Sequence, residues 1–275
     1  MAVYIPSSLE DALDILRDPE CIIISGGTDY FPALKRSNGV KKLVSLISVP
    51  EIRGLRSERK GIRMGATLTW TQLIQSDLPP AFDALKTAGS QVGSVQIQNA
   101  ATVVGNLCNA SPAADGIPAL LALNAEVELQ SAMRGRRQVP LMEFVKGVRT
   151  TDRKSDEIVT SIFVPHPPQG MQSVFSKLGS REYLVISIAM TALNVVLDKS
   201  GRVKDMRVAV GACSTVAQRL SSLENEARGK LLSEIHLTPD HLAVLSPIDD
   251  VRASAMYRRD AVLEQIRQAF FELKS

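Results

Sequence analysis

Three cysteines and three histidines in 275 residues are too few, and too scattered, for most metal chemistry. Cys21, Cys108 and Cys213 form no C-x-x-C pair, which excludes a zinc finger or an all-cysteine iron–sulfur cluster. His166, His236 and His241 make no H-E-x-x-H spacing, and no serine, histidine and acid set stands out as a triad. The expectation is three reduced, mostly buried thiols, with Cys108 the one to watch because of the stretch it sits in. Charge of one sign is also scarce. The 32 basic and 29 acidic residues leave +3, too little for a nucleic-acid binder. The clusters Lys41-Lys42 and Arg134-Gly135-Arg136-Arg137 read as solvated turns, with anion binding the lesser reading. Long apolar runs are missing as well. The longest, Tyr183 to Leu197, is broken by Ser187, Thr191 and Asn194, so it is too short and too polar to cross a bilayer. Pro6 and Glu10 interrupt the start, and no charged segment precedes an apolar one there. No signal peptide is expected, and the protein is expected in the cytoplasm.

What is present is ordinary globular material. An apolar share of 45% over this length allows a real core and two or three subdomains. Breaks fall near Val49-Pro50 to Gly61 and at Pro165-His166-Pro167-Pro168-Gln169-Gly170. Before the first break the pattern alternates. Val3–Ile5, Ile22–Ile24 and Lys42–Leu46 read as strands. A helix capped by Ser7 or Ser8 runs through Leu9, Leu13 and Leu16, and a second covers Thr28–Arg36. Between the breaks, Arg63–Gly65, Ala125–Leu129 and Ile158–Val164 read as strands, and Leu68–Gln75, Pro80–Ala88 and Ile117–Leu123 as helices. Beyond Gly170 come three strands, Val174–Leu178, Ile186–Leu197 and Val203–Val210, with Asp198-Lys199-Ser200-Gly201 as a hairpin turn. Helices follow, the last over about Ala253–Lys274 with Val262, Ile266, Phe270 and Leu273 on one face. The fold class is α+β, mixed α/β.

Two stretches carry the chemistry. In Ser25-Gly26-Gly27-Thr28-Asp29 a buried-type strand empties into two glycines at a helix start. Such a turn lets backbone N–H groups approach an anion closely. It is neither a Walker A loop nor G-x-G-x-x-G, and taken alone a plain strand-to-helix turn is the favoured reading. The second stretch, Asn99 to Asp115, is dominated by Ala, Gly, Asn, Ser and Thr. That is poor material for a hydrophobic core and suits a lining against something flat and polar. Asp115 also fits a simple helix N-cap, and Asn106 and Asn109 fit turn backbone.

"GGTD", "NAATVVGNLCNASPAADGIPALL", "FSKLGSREYLVISIA" and "PIDDVRASAMYRRD", in that order, resemble the FAD-binding medium subunit of the molybdenum hydroxylases. That family includes xanthine dehydrogenase and carbon monoxide dehydrogenase. The resemblance spans roughly residues 3 to 270. It implies a vanillyl-alcohol-oxidase-type FAD-binding fold, with subdomains at 1–55 and 56–168 and a C-terminal α+β domain at 169–275. By position, Ser25, Gly26, Gly27, Thr28 and Asp29 would wrap the pyrophosphate and ribityl region. Ala101, Thr102, Gly105 and Asn106 belong to the second loop and would face the diphosphate side. Asn109 and Asp115 would hold the polar part of the cofactor, with Asp115 on hydroxyls. Val159 would lie near the adenine or ring edge. Lys177 would sit by the N1/C2=O edge of the isoalloxazine, where a cation favours the anionic reduced flavin; a solvated strand lysine is its other reading. Val104 stands where the family commonly has glycine, Gln98-Asn99 replaces Arg-Asn, and Gly211-Ala212 replaces a double glycine.

The resemblance further implies no catalytic side chain on this chain. The organic substrate would be oxidised at molybdopterin on a large subunit. Electrons would pass through two iron–sulfur (2Fe-2S) clusters on a small subunit to FAD, then to NAD+, oxygen, a quinone or another acceptor. The complex would hold two copies of each of three subunits. The chain lacks the cysteine-rich insertion of the benzoyl-CoA reductase branch. Two other functions fit the motifs: a self-contained flavin oxidoreductase resembling the cell-wall enolpyruvyl reductase, or a non-enzymatic nucleotide-binding scaffold. "PIDDVRASAMYRRD" reads either as a partner contact or as a helix start fixed by ion pairs to Asp249, Asp250 and Asp260.

Overall fold

A computed structural model of the protein describes residues 2–34, 42–181 and 184–273. Strands β1 (Ala2–Tyr4), β2 (Cys21–Ile24) and β3 (Lys42–Ser45) form a parallel sheet in the order β1-β3-β2, with helices α1 (Leu9–Ile15) and α2 (Tyr30–Leu34) in the connections. Ser8 caps α1, its Oγ accepting from the Asp11 N–H at 3.0 Å. The helix expected over Thr28–Arg36 starts at Tyr30. Gly27 has φ +68°, outside helical space, so Thr28 and Asp29 remain in the turn; Lys35 and Arg36 lie outside the described residues.

Strands β4 (Leu55–Glu58) and β5 (Gly61–Gly65) start the second sheet. Five helices follow: α3 (Trp70–Ile74), α4 (Asp83–Ser90), α5 (Val95–Ala100), α6 (Val103–Asn109) and α7 (Gly116–Ala122). Then come β6 (Glu126–Ser131), β7 (Gly135–Pro140), α8 (Leu141–Phe144), the hairpin β8 (Val145–Gly147) and β9 (Thr150–Thr151), and β10 (Glu157–Pro165). The sheet is antiparallel in the order β4-β5-β10-β6-β7. Strands β4 and β7 and helices α5 and α6 were not legible as periodic patterns. The arginine cluster is not a loose turn. Arg136 and Arg137 lie on β7, and Arg137 grips Glu157 through Nε at 2.7 Å and Nη2 at 2.8 Å, and Asp152 through Nη1 at 2.6 Å. Likewise Lys42 is on β3 and pairs with Asp18 at 2.6 Å, while Lys41 lies outside the described residues.

The C-terminal part contains β11 (Gln172–Leu178), β12 (Ala189–Leu197), β13 (Val203–Gly211), a short fourth strand β14 (Gln218–Arg219), α9 (Ser221–Ala227) and α10 (Ala255–Glu272). The strand expected from Ile186 begins at Ala189. β12 is buried on both faces, which is why it reads as one apolar run. Met190, Ala192 and Val196 face the core shared with the first two sheets. Ala189, Leu193 and Val195 face a second core with Val262, Ile266 and Phe270 of α10. The period of two thus welds the C-terminal layer to the rest. The "PIDDVRASAMYRRD" segment is fixed from within. Asp250 accepts from the Arg252 N–H and from Arg258 Nη2 at 2.7 Å, and Asp249 accepts from the Ala255 N–H. Arg259 donates to the Leu242 and Leu245 carbonyls rather than to an acid.

Candidate functional site

The two glycine-containing stretches, 75 or so residues apart in the chain, touch. A Cβ on Gly26 would sit 2.1 Å from the Ala100 carbonyl oxygen and 2.8 Å from the Ala101 Cα. Only glycine allows that approach. The N–H groups of Gly26, Gly27, Thr28 and Asp29 have no acceptor among the described residues. Four free donors on one turn make an anion nest. They open onto a cleft of about 930 Å³, at the upper end of the roughly 300–1,000 Å³ typical of small-molecule sites. All the site residues expected from the sequence lie on its wall: Ser25 to Asp29, Ala101, Thr102, Gly105, Asn106, Asn109, Asp115, Val159 and Lys177. Ile22, Ile23, Ile24 and Ile97 give it an apolar side.

The second stretch is a helix start, not an open loop. Thr102 is the N-cap of α6, and its Oγ1 accepts from the Gly105 N–H at 2.9 Å. Gly105 therefore spends its amide on the cap. The Val103 N–H donates to the Leu68 carbonyl and the Asn106 N–H to Thr102, which leaves the Val104 N–H without an acceptor among the described residues. Val104 itself is 4% exposed and belongs to the main core, so its extra carbons are accommodated by packing. Behind this stretch the Trp70 N–H donates to the Ala101 carbonyl at 3.1 Å.

Asp115 is not a side-chain cap. It stands before α7, but its carboxylate makes no cap bond. Oδ2 accepts from Lys177 Nζ at 2.6 Å and Oδ1 from Ser187 Oγ at 2.6 Å. Nor is Lys177 solvated: its side chain is 6% exposed, and Nζ also donates to the Gln91 carbonyl at 3.2 Å. Burial pushes the Asp115 carboxyl up, while the Lys177 charge and the two hydrogen bonds pull it back. β11 brings Lys177 to the start of α7, a juxtaposition across 62 residues that no local pattern reveals. Asn109 Oδ1 is occupied by Arg149 Nη1 at 2.7 Å. The Cys108 thiol is pushed up to about 11 by burial, against the nearby Arg153, which makes it an unreactive wall residue.

Sequence reasoning missed Trp70, Arg149 and Arg153, which also line the cleft. A tryptophan on a helix gave no signal beyond core packing, and the arginines come from the unread β8–β9 region. At the rim the backbone is bent into left-handed conformations at two non-glycine residues, Arg149 and Leu184, both at φ +53°, as is common around ligand clamps. Two buried polar atoms on the wall, Tyr30 OH and Trp70 Nε1, have no partner among the described residues. Free amides for phosphate, an apolar side for a ring, and orphaned polar groups together fit a dinucleotide with a flat aromatic system.

Comparison with known proteins agrees with this geometry. Residues 1–167 match the family described as the FAD binding domain in molybdopterin dehydrogenase, and residues 175–273 the CO dehydrogenase flavoprotein C-terminal domain. The nicotine 6-hydroxylase medium subunit of Paenarthrobacter nicotinovorans is 30% identical, covering 97% of this chain and 95% of its own. The xanthine dehydrogenase FAD-binding subunit of Escherichia coli O157:H7 is also 30% identical, at 97% and 93% coverage. A crystal structure of the cyanide-inactivated Cu,Mo-CO dehydrogenase superimposes with a TM-score of 0.90 at 23% identity, over 98% of this chain and 96% of that one.

Proposed function

The chain belongs to the FAD-binding medium subunits of the xanthine and CO dehydrogenase-type oxidoreductases, and from that premise we propose its part in electron flow. In this reading it receives electrons from the iron–sulfur (2Fe-2S) clusters of a small partner subunit and delivers them through FAD to NAD+ or another acceptor. A large partner subunit holds molybdopterin and oxidises the organic substrate, and two copies of each subunit assemble in the cytoplasm. The relatives' names support a division of labour, since they are called medium subunits and chains. Three separate cysteines cannot supply four thiolates for even one all-cysteine cluster.

The observation that carries the reading is the contact of Gly26 with the Ala100–Ala101 backbone beside four unspent amides. When bound, FAD supplies the exchange between one-electron carriers and a two-electron acceptor. This chain's residues bind and orient it. Gly26 to Asp29 donate N–H groups to the pyrophosphate oxygens. The Val104 N–H adds a donor from the other stretch. Lys177 holds positive charge at the ring end, and Asp115 balances that charge and fixes its position through Ser187. Val159 and the isoleucines of β2 exclude water from the ring face. No side chain of this chain needs to move a proton. Residues 1–55 and 56–168 form the two halves of the cradle, and 169–275 delivers Lys177.

Purification of the chain with its neighbours tests this. The expected result is a flavin spectrum at one FAD per chain, and co-purification of a cysteine-rich subunit whose clusters bleach the flavin when reduced. A colourless chain that takes up no FAD would overturn the reading.

A further inference from the structure

We propose that Asn109 meets FAD as a hydrogen-bond donor, and that Arg149 is the positioning residue that holds it in that orientation. The proposal rests on the FAD reading above. Both residues line the cleft, although they stand 40 residues apart in the chain. Asn109 is the last residue of α6, and Arg149 lies in the turn between β8 and β9.

Backbone and side chain both dock that turn on the end of the helix. The Arg149 N–H donates to the carbonyl of Ala110, the residue after Asn109, at 2.8 Å. Arg149 Nη1 donates to Asn109 Oδ1 at 2.7 Å. The backbone at Arg149 is left-handed, φ +53°, where glycine, asparagine or aspartate is favoured. The turn alone therefore leaves the choice of arginine unexplained. Among the described residues no carboxylate pairs with the guanidinium, and Asn109 is the one side chain that it bonds.

The chemistry of the pair fixes which end of the amide is free. A guanidinium carries N–H donors and no acceptor. An asparagine beside it must present its oxygen, since turning the amide over would set N–H against N–H. Shape alone does not choose between the two ends of an amide, but this neighbour does. Asn109 is left with Nδ2, which has no acceptor among the described residues. Its free N–H groups suit an acceptor on the cofactor, a phosphate or carbonyl oxygen.

A double-mutant cycle on FAD affinity tests this in the full-length chain, with N109A, R149A and the double variant. N109A is expected to weaken FAD about fivefold, the equivalent of one ordinary hydrogen bond. R149A frees the amide to turn, so that about half of the molecules present the donor, and should weaken FAD about twofold. The double variant should bind no more weakly than N109A. R149K keeps a donor-only cation and should recover most of what R149A loses. N109D gives a readout that a purely structural role would not move, and it stands whether or not R149A folds. Its carboxylate can pair with Arg149 but has no N–H to offer. The urea midpoint should hold while FAD affinity falls about tenfold, as expected when an anion faces an acceptor. Additive losses in the cycle, or N109D binding FAD as tightly as the unmodified chain, would overturn the proposal. Absence of FAD binding to the unmodified chain would remove the FAD reading, and this role with it.

Discussion

The two stretches that meet in the cleft are built on opposite plans. Ser25 to Asp29 offers bare backbone. Its glycines exist because Gly26 presses on Ala100 and Gly27 turns at φ +68°, and its amides are unspent. The stretch from Asn99 to Asp115 offers side chains held by distant partners, with its own amides largely consumed by a helix cap. Asp115 is tied to Lys177 and Ser187, and Asn109 to Arg149. One side offers free donors through geometry that the local sequence dictates, and the other offers side chains placed by a network that only the tertiary fold creates.

That contrast can be broken at several points. The largest effect is expected at the network. D115A leaves a buried lysine without its counter-ion and should cost about 3–5 kcal/mol in urea unfolding. Removing both charges in D115A/K177M should recover much of the loss, and equal losses in the two variants would contradict a coupled pair. Next comes the bare turn. G26A forces a methyl into the Ala100 carbonyl and should cost about 1–3 kcal/mol together with most FAD affinity. G27A should cost about 1 kcal/mol for left-handed backbone, together with a shift of the Phe31 ring that its methyl would meet at 2.6 Å, and less affinity. The reverse order would show that Gly27, not the Gly26 contact with Ala100, governs the turn.

Ala110 supplies a gain rather than a loss. It ends α6 at φ +46°, where glycine is the usual residue, so A110G should add about 1 kcal/mol without changing FAD affinity. A change in affinity would show that the strain is functional.

The smallest expected effect is in acid. Asp250 is held down to about 2 by the Arg252 and Ala253 N–H groups and by the Arg258 and Arg252 guanidiniums. Its contribution is complete above the ordinary 3.8 and is lost as the pH falls toward 2. Burial raises Asp115 instead, so its contribution is complete below 3.8 and is lost as the pH rises through its elevated value. D250N should therefore flatten the acid limb of a stability curve where D115N does not. Parallel slopes would contradict the assignment.

The same contrast explains what the sequence disclosed. Gly26 and Gly27 were legible because backbone geometry restricts residue type locally, and β12 and α10 because their burial is periodic. The excess of small residues from Asn99 to Asp115 marked a lining, yet α6 was hidden because a helix containing Gly105 and two asparagines shows no apolar stripe. Lys177 looked like an ordinary strand lysine and Asp115 like a cap, since their pairing depends on the fold bringing the end of β11 to the start of α7. Trp70 could not be singled out from sequence: its unpaired nitrogen is visible only once its surroundings are known. The family resemblance placed Lys177 and Asp115 at the cofactor but did not disclose that they hold each other.

The most direct test is a crystal structure of the chain with FAD. The account predicts pyrophosphate oxygens within hydrogen-bond distance of the Gly26–Asp29 amides and of the Val104 or Asn106 donors together. A pyrophosphate held by one stretch alone, with the other remote from it, would contradict the account.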